Sequence, residues 1–465
     1  MASKNLVGKK ITILGGARSG VAVARMLKKI GADIFLSDLS SEEKMFESKH
    51  QLNESKIDFE FGKHSDRIYD ASLFVISPGI SETSLPIVEA KKRGIAIVSE
   101  IECASWFCNS PITAITGSAG KTTTTTLIGR MASDAKKKHF VAGNIGTPLS
   151  SFVLDASNET TAIVEISSFQ LDFCFDFQPH VAIVTNITQN HMDRYENSME
   201  KYSASKSKIF ANQNENDFLI YNFDDPWTRK VVENRKNKSV QILPFSINKI
   251  DDDGASIKNE MITISLNGKT DEVIKISEMS LRGTHNIYNA MASTLASKIN
   301  GISTASIRAT LKNFKGVEHR QEFVAEIDGV NFINDSKATT VDSVKFAIEA
   351  VASPIILILG GHDKGNDYSQ IENLVKEKVK MIIATGESCD KIEKYFSKIV
   401  PVEIIGTSNN AKPNIIDMQK VIELAKEKSN RGDSVLLSPA CASFDWFNNY
   451  EERGNIFKEL VLKLK

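Results

Sequence analysis

The chain has 465 residues, enough for about three domains of ordinary size that each bury a core. Its 57 lysines and arginines nearly balance 58 aspartates and glutamates, so net charge favours neither nucleic acid nor an anionic membrane as a partner. No apolar run approaches the length of a membrane span and the N-terminus has no apolar signal core, so we expect a cytoplasmic protein without membrane insertion.

The five cysteines are widely spaced and form no CxxC pair. This spacing predicts free thiols rather than a disulfide framework or a zinc cluster.

The first part of the chain has the pattern of a nucleotide-binding βαβ unit. Residues 10–38 contain an apolar strand, a glycine-rich turn, an amphipathic helix and a second strand that ends at Asp38. Further strands are predicted within 73–80 and 94–102. We therefore expect an α/β, Rossmann-like N-terminal domain over residues 1–99.

A second α/β unit is predicted over residues 100–316. It starts with a strand at 111–117, and further strands are predicted within 139–146, 161–170, 180–187 and 217–225. Each of these strands ends in a polar segment, and open parallel sheets bind ligands at such strand ends. Between about 240 and 280 the pattern is strand-like and polar, which predicts a β flank, and a helical pattern resumes over 283–299.

The third unit, residues 317–465, begins with a predicted hairpin over 322–336 that contains an Asp-Gly turn. Helical and strand patterns then alternate to the end of the chain, with strands within 354–365, 381–387, 402–406 and 433–443. We expect a second Rossmann-like domain here.

The clearest chemical motif is the loop "TGSAGKTT", which follows a strand and opens a helix. Its glycines allow backbone N–H groups to surround a phosphate, Lys121 adds charge, and the Thr122 hydroxyl can bind magnesium. The full GxxxxGK[ST] pattern would need glycine at position 115, where the chain has Ile115, so this loop is shorter. On the loop alone, ATP binding and a plain tight turn both stay open.

Two further strand ends carry groups that could bind a divalent cation held by ATP. Glu165 ends one predicted strand, and His191 and Asp193 follow the next. We expect these two strands to be adjacent in the sheet, so that each group could bind this cation. The alternative is a capped loop with a hydrogen-bonded histidine, and spacing alone would make Lys206 an ordinary surface lysine of a helix.

The glycine-rich turn of the first unit does not match a dinucleotide site. Its glycines are Gly15, Gly16 and Gly20, and Ala17 stands where a pyrophosphate would need a residue without a side chain. A single nucleoside diphosphate at this helix N-terminus, with Asp38 near its ribose or base, remains open. Residues 77–80 could form the other side of that cleft.

Cations and hydroxyls follow several strands of the third unit, a composition that suits an anionic small substrate such as an amino acid carboxylate. They are Arg320, Lys337, Thr339, Lys364 and Ser443, and the carboxylate of Asp335 lies among them in the sequence.

Taken in order, the motifs "TGSAGKTT", "EISSFQL", "NITQNHMDRY", "GTHNIYNA", "EHR", "NDSKATT" and "SPACASFDWF" resemble the Mur ligases over the whole chain. The segments "SSFQL", "HMDRY", "INDSKAT" and "LLSPACAS" resemble the branch that adds D-glutamate. The resemblance implies an N-terminal domain for the uridine nucleotide, a central P-loop ATPase domain and a C-terminal domain for the amino acid.

The implied activity is that of an ATP-dependent, ADP-forming ligase of peptidoglycan synthesis, which serves cell wall biogenesis, cell shape and cell division. It would add D-glutamate to UDP-N-acetylmuramoyl-L-alanine through an acyl phosphate. The alternatives are another Mur-type or folylpolyglutamate ligase with a different acceptor, against which "NDSKAT" and "SPACAS" argue, and a nucleotide-binding regulator without turnover. We expect a monomer.

The resemblance also implies roles for particular residues. ATP would be bound by Gly117, Ser118, Ala119, Gly120, Lys121, Thr122, Thr123, Asn286, Asn289, Arg320 and Asp335. Magnesium would be bound by Thr122, Glu165, His191 and Lys206, the last as the family's carbamoylated lysine, with Lys121, His191 and Lys206 catalytic. The UDP substrate would contact Arg18, Ser19, Asp38, Ser77, Gly79 and Asn144. D-Glutamate would contact Lys337, Thr339, Lys364, Ser443 and Tyr450.

Three positions depart from the family pattern. Ala119 stands where asparagine is usual, so a side-chain contact there is missing or replaced. Asn190 stands where aspartate is common, which argues against a metal or base role. Tyr450 replaces phenylalanine and adds a hydroxyl to the predicted glutamate site.

Overall fold

The computed structural model describes residues 5–190, 192–250, 252–363, 365–407 and 411–464, apart from the side chains of Asp193 and Asp342. The chain divides into two compact units, Met1–Phe314 and Lys315–Lys465. The first unit contains two β-sheets and the second contains one. The predicted α/β class is confirmed.

The first sheet has five parallel strands in the order β3-β2-β1-β4-β5. The strands are β1 (Lys10–Leu14), β2 (Asp33–Asp38), β3 (Asp58–Phe61), β4 (Leu73–Ile76) and β5 (Ala96–Ser99). The helices of this region are α1 (Arg18–Ile30), α2 (Phe46–Glu54), α3 (Leu85–Lys92) and α4 (Glu100–Ser105). The strand order reverses between β1 and β4, the position where doubly wound sheets bind ligands.

Helix α1 shows how the sequence specifies these elements. Val21, Ala24 and Leu27 recur at helical spacing and are all buried, so one face of the helix packs on the sheet. Gly31 ends the helix in the left-handed conformation, with φ of 94°, and its N–H donates to the carbonyl oxygens of Leu27 and Lys28. A residue with a Cβ would be strained there.

The second sheet has nine strands in the order β14-β13-β12-β11-β10-β9-β6-β8-β7. They are β6 (Ile112–Thr116), β7 (His139–Gly143), β8 (Thr161–Glu165), β9 (Val181–Val184), β10 (Phe218–Asn222), β11 (Gln241–Phe245), β12 (Gly254–Lys258), β13 (Met261–Leu266) and β14 (Lys269–Lys275). Strands β6 to β12 are parallel, and β12, β13 and β14 form an antiparallel meander. The predicted β flank is confirmed.

The helices of this region are α5 (Lys121–Asp134), α6 (Ser168–Leu171), α7 (Met199–Ser207), α8 (Pro226–Glu233), α9 (Thr284–Ile299) and α10 (Thr304–Asn313). Helix α5 packs beside α9, which brings the start of α5 next to the predicted nucleotide residues of α9.

Helix α4 connects the two sheets of the first unit, and its Glu102 is completely buried. Oε1 of Glu102 accepts hydrogen bonds from the indole of Trp106 and the N–H of Asp176, and Oε2 accepts from the N–H groups of Phe175 and Phe177. One hydrophobic cluster runs through both sheets. The two sheets are therefore joined by shared apolar packing as well as by the chain.

The second unit has one six-stranded sheet in the order β15-β16-β20-β17-β18-β19. Its strands are β15 (Glu322–Ile327), β16 (Val330–Asn334), β17 (Ile355–Gly360), β18 (Val379–Thr385), β19 (Val402–Ile405) and β20 (Ser434–Leu437). Its helices are α11 (Val341–Ala350), α12 (Glu372–Lys378), α13 (Cys389–Phe396), α14 (Ile415–Lys428) and α15 (Tyr450–Leu462).

The predicted hairpin is confirmed, because β15 and β16 pair antiparallel around Asp328 and Gly329. Both turn residues have positive φ, 53° and 79°, as a two-residue type I′ turn requires. The remaining strand pairs of the sheet are parallel, and β17 is buried along its whole length between two apolar clusters.

All five cysteines are free thiols, as predicted. Within the described ranges, none of the helices is both long enough and apolar enough to cross a membrane.

Candidate functional site

The loop between β6 and α5 adopts a shape that only glycine permits at two positions. Gly117 has φ of 152°, and a Cβ there would lie 1.9 Å from Oγ1 of Thr185. Gly120 has φ of 81°, and a Cβ there would lie 2.5 Å from Oδ1 of Asn289. The loop therefore approaches its neighbours more closely than any residue with a side chain would allow. It ends at the N-terminus of α5, where first-turn N–H groups favour an anion.

Two residues at the end of β9 hold this loop in place. The N–H of Ser118 donates to the carbonyl oxygen of Asn186 at 2.9 Å, and the N–H of Ala119 donates to Oδ1 of Asn186 at 2.8 Å. The hydroxyl of Thr185 donates to the Ala119 carbonyl oxygen at 2.6 Å. Neither residue was assigned a role from the sequence, although Asn186 opens the motif "NITQNHMDRY". The loop at Ala119 is thus anchored through backbone contacts.

Two lysine amines meet at one backbone carbonyl of this loop. Nζ of Lys121 donates to the Gly117 oxygen at 2.7 Å and to the Ser118 oxygen at 3.1 Å. Nζ of Lys206, on α7, donates to the same Gly117 oxygen at 2.9 Å and lies over the ring of Tyr202. The expectation of a surface position for Lys206, based on spacing alone, is wrong, because only 2% of the residue is exposed.

The charge state of Lys206 follows from this position. Burial lowers the pKa of its amine well below the ordinary value, and the neighbouring positive charge of Lys121 lowers it further. Asp172 and Glu165 oppose this shift only in part. The site therefore holds an amine that loses its proton far more readily than a surface lysine does.

Glu165 is buried at the carboxyl end of β8, beside the predicted substrate residue Asn144. The side-chain amide of Asn144 donates to Oε1 of Glu165 at 2.9 Å, and the N–H of Asn144 donates to the Glu165 carbonyl oxygen at 2.8 Å. Oε2 of Glu165 is buried and has no hydrogen-bond partner among the described residues. Such an oxygen fits a divalent cation, which would satisfy it.

The expected adjacency of the Glu165 and His191 strands is wrong. Strands β8 and β9 are consecutive in the chain, but β6 lies between them in the sheet and pairs with both. The two strand ends therefore flank the loop that follows β6. His191 itself lies outside the described residues, and among those described no three His, Cys, Asp or Glu side chains converge on one point.

Helix α9 brings one of its two predicted nucleotide residues directly onto the loop. Asn289 is buried against Gly120, and its Oδ1 accepts a hydrogen bond from the hydroxyl of Thr124 at 3.3 Å. Its amide donates to Oδ1 of Asn286, one turn earlier, at 3.3 Å. Thr122 and Thr124 are buried at the start of α5, so the threonine run faces the protein interior as well as the loop.

In the first sheet, the predicted substrate residues Asp38 and Ser77 both contact the turn between β1 and α1. Oδ2 of Asp38 accepts from the N–H of Gly16 at 2.6 Å, and the Ser77 hydroxyl donates to the Gly15 carbonyl oxygen at 3.2 Å. Gly79 has no atom within 4 Å of its Cβ position, so the space above it is open. Asp38 and Ser77, which were predicted to lie on two sides of one cleft, therefore contact the same turn.

The other two predicted residues of this region lie at the start of α1. Arg18 is exposed, and its guanidinium donates to the carbonyl oxygen of Gly146 at 3.5 Å, close to the segment that carries Asn144. Ser19 follows it and is half-buried.

In the second unit, Asp335 is buried at the end of β16. Its Oδ2 accepts from the Ser438 hydroxyl at 2.8 Å and its Oδ1 accepts from the N–H of Gln321 at 3.1 Å. Burial raises the pKa of Asp335 to about 7, although the Ser438 hydrogen bond and the positive charge of Arg320 oppose the shift. The predicted pair of Arg320 and Asp335 is thus close enough to interact electrostatically.

Two of the predicted glutamate residues of this unit, Lys337 and Tyr450, lie together at the start of α15. The amine of Lys337 lies 5.7 Å from the centre of the Tyr450 ring, and the Ser336 hydroxyl donates to the Tyr450 carbonyl oxygen at 2.8 Å. Thr339 follows Lys337 in the same turn, where its N–H donates to the Lys337 carbonyl oxygen. Ser443 is buried, and its carbonyl oxygen accepts the N–H of Phe447 at 2.8 Å. Lys364 lies outside the described residues.

Arg453, like Thr185 and Asn186, was not identified from the sequence. It is buried one turn after Tyr450, and its guanidinium donates to the hydroxyl and carbonyl oxygens of Ser336 at 2.9 Å and to the Cys441 carbonyl oxygen at 3.2 Å. Burial lowers its pKa to about 10. In the sequence, Arg453 is distinguished only by its position among the apolar residues that form the buried face of α15.

Comparison with known proteins agrees with this geometry. Residues 10–85 match the MurD N-terminal domain, residues 115–297 the Mur ligase middle domain, and residues 319–441 the Mur ligase glutamate ligase domain. The UDP-N-acetylmuramoylalanine–D-glutamate ligase of Christiangramia forsetii is 44% identical over 459 residues, covering 98% of this chain and 100% of that protein. The enzyme of the same name from Chlorobium limicola is 43% identical over 470 residues, covering 98% of each chain.

A solved structure, the UDP-N-acetylmuramate–alanine ligase MurC of Thermotoga maritima, covers 98% of this chain with a TM-score of 0.58 at 19% identity, and supports the fold alone. The sheets and the glycine-rich loop define a multidomain α/β protein with a P-loop type of nucleotide site. The chain belongs to the Mur ligase family, and within it to the UDP-N-acetylmuramoylalanine–D-glutamate ligases. It is therefore an ATP-dependent, ADP-forming ligase that makes an amide bond.

Proposed function

We propose that the chain joins D-glutamate to UDP-N-acetylmuramoyl-L-alanine in peptidoglycan precursor synthesis. The observation that carries the proposal is the loop of Gly117, whose carbonyl oxygen receives the amines of both Lys121 and Lys206 at the start of α5. The cation of Lys121 and a helix N-terminus at one point suit the terminal phosphates of ATP.

The reaction needs ATP because a carboxylate is a poor electrophile. The γ-phosphoryl group would pass to the carboxylate of the L-alanyl residue, and the amine of D-glutamate would then attack the acyl phosphate and release phosphate. Lys121 and the α5 N–H groups would stabilise the negative charge that spreads over the moving phosphoryl group. Thr185 and Asn186 would act as positioning residues, because they fix the loop that carries these groups.

Magnesium would be held by Thr122, Glu165, His191 and Lys206, and the unpartnered Oε2 of Glu165 supports this assignment. When bound, the ion would neutralise charge on the ATP phosphates. We propose that Lys206 carries a carbamate, formed when its neutral amine adds to carbon dioxide and releases a proton. The lowered pKa of Lys206 supports this, because only the neutral amine is nucleophilic.

The substrate contacts are proposed by position. The UDP part would lie on the turn bordered by Asp38 and Ser77, with Arg18, Ser19 and Gly79, and Asn144 would face the muramoyl portion. D-Glutamate would contact Lys337, Thr339, Lys364, Ser443 and Tyr450. Asn286, Asn289, Arg320 and Asp335 would complete the ATP site. Since Glu165 holds Asn144, the proposed metal and substrate contacts are directly linked.

The proposal divides the chain into a UDP-binding domain (1–99), an ATPase domain (100–316) and an amino acid-binding domain (317–465). Each range contains one of the three sheets. We propose that the enzyme acts as a cytoplasmic monomer, which light scattering of the purified protein would test.

The deciding experiment is a phosphate-release assay with ATP, magnesium and UDP-N-acetylmuramoyl-L-alanine. Release should require D-glutamate, and neither L-glutamate nor L-alanine should replace it. Lys121→Ala should abolish release without loss of folding, whereas Lys137→Ala, at an exposed lysine just past α5, should be normal. Release with a different amino acid would reject the acceptor, and full activity of Lys121→Ala would reject the site.

A further inference from the structure

A cavity of about 420 Å³ lies in the first unit, between α1, α2 and the segment 146–155 that follows β7. This volume is within the usual range of small-molecule sites. The cavity runs along α1 from Arg18 to Lys29. Neither Asp38 nor Ser77, which contact the turn before α1, lines it. The cavity shares one residue, Arg18, with the substrate contacts proposed above.

Three cations of α1 line this cavity. Arg18, Arg25 and Lys29 are spaced seven and four residues apart, so they lie on one face of the helix. Within the part of the chain that the structure describes, Arg25 and Lys29 make no hydrogen bond or ion pair. Their charges are thus available to an anion in the cavity.

The opposite wall is the segment 146–155, in which Ser150 lines the cavity and is only 4% exposed. The backbone N–H of Ser150 donates to Oε1 of Glu100 at 2.7 Å, which fixes this wall in place.

Two carboxylates, Glu47 of α2 and Asp155 of the facing segment, also line the cavity. A ligand that carries only negative charge would make no favourable contact with these two carboxylates. A ligand that carries hydroxyl groups as well as a negative charge would donate hydrogen bonds to them. The lining thus combines cations for a phosphate with acceptors for a polyol.

We propose that this cavity is a second ligand site, which binds a phosphorylated sugar. Arg25 and Lys29 bind the phosphate group, and Glu47 and Asp155 accept hydrogen bonds from the sugar hydroxyls. The site lies beside the segment that carries Asn144, so its occupant contacts the same loop as the muramoyl substrate.

Isothermal titration calorimetry of the full chain with glucose 6-phosphate tests this. We expect binding that Arg25→Ala and Lys29→Ala each weaken by about tenfold, since each removes a charge-assisted hydrogen bond. Lys28→Ala removes one charge from an exposed position of the same helix that does not line the cavity, and should bind normally.

Two further arms identify the ligand chemistry. Glucose without phosphate and inorganic phosphate without sugar should each bind at least about tenfold more weakly than glucose 6-phosphate, because each satisfies half of the lining. Equal binding of inorganic phosphate would reject the sugar contacts. Absence of glucose 6-phosphate binding, or equal binding by the parent, Arg25→Ala and Lys29→Ala proteins, would overturn the proposal.

Discussion

The buried amine of Lys206 is the least favourable group in the site for stability. It lies beside the cation of Lys121, and burial together with that charge lowers its pKa. A group kept in such a position serves the chemistry rather than the fold. Gly117 would keep a partner without it, because Lys121 donates to the same carbonyl oxygen.

We therefore expect Lys206→Met to lower kcat by about a hundredfold or more while raising Tm by about 2 °C. Methionine fills a similar volume and removes the cost of burying an amine. Lys201→Met, at an exposed lysine of the same helix, should change neither quantity. Turnover assays and differential scanning fluorimetry measure both effects, and a large fall in Tm for Lys206→Met would contradict the argument.

Gly117 provides a second test at this scale. Alanine at this position requires an unfavourable φ and places its Cβ against Thr185, so the loop must move. A displacement of about 1 Å at a catalytic loop can cost about a hundredfold in rate. Gly117→Ala should lose this much kcat/KM, whereas Gly406→Ala, with ordinary φ and only a distant neighbour, should not. Equal kinetics of the two variants would exclude a tight loop.

Asp335 gives a pH-dependent prediction. Its pKa is about 7 in the folded chain and near 4 when unfolded, so between these values the folded state binds more protons. Its contribution to stability is therefore full at low pH and is lost as pH rises towards and through 7. Asp335→Asn mimics the neutral form, so its free energy of unfolding should rise relative to the parent between pH 5 and 8. Denaturant titrations at both values would show no such change if Asp335 were ionised throughout.

At the scale of elements, sequence patterns located the strands but not their order in the sheet. The strands ending at Glu165 and before His191 are consecutive in the chain, and nothing in either segment indicates that β6 lies between them. The burial of Lys206 could not be predicted from the sequence either. It depends on how α7 packs over the loop rather than on the spacing of residues within α7. The glycine-rich loop was readable because its geometry is set by local φ values.

The connecting helix α4 offers a matched pair of variants. Both carboxylate oxygens of Glu102 accept two hydrogen bonds each, so glutamine would point its amide N–H groups at two donors. Glu100 accepts one hydrogen bond, from Ser150, and its Oε2 has no partner among the described residues. Burial raises the pKa of Glu100, so holding this side chain in a neutral form costs less than it would for an exposed carboxylate.

Glu102→Gln should therefore destabilise the chain by about 2–3 kcal/mol, and Glu100→Gln by less than about 1 kcal/mol. Urea denaturation followed by tryptophan fluorescence compares them, since Trp106 contacts Glu102 directly. Equal losses for the two variants would mean that the hydrogen bonds of Glu102 do not anchor residues 175–177.

At the scale of the whole molecule, the first and second sheets share one apolar cluster, whereas the third sheet has apolar clusters of its own. One hydrophobic cluster includes residues of the first and second sheets together, from Ile11 to Val240. The two clusters on either face of the third sheet contain only residues of the second unit. The three predicted domains are therefore expected to differ in their ability to fold alone.

A fragment of residues 315–465 should unfold cooperatively, because it retains both of its apolar clusters intact. A fragment of residues 100–314 should not, because it loses the first-sheet side of a shared core and exposes that apolar surface to water. The fragment 1–314 restores this surface and is the control. Thermal melts and binding of a hydrophobic dye distinguish these cases. A cooperative melt of fragment 100–314 without dye binding would show that the second sheet carries a sufficient core of its own.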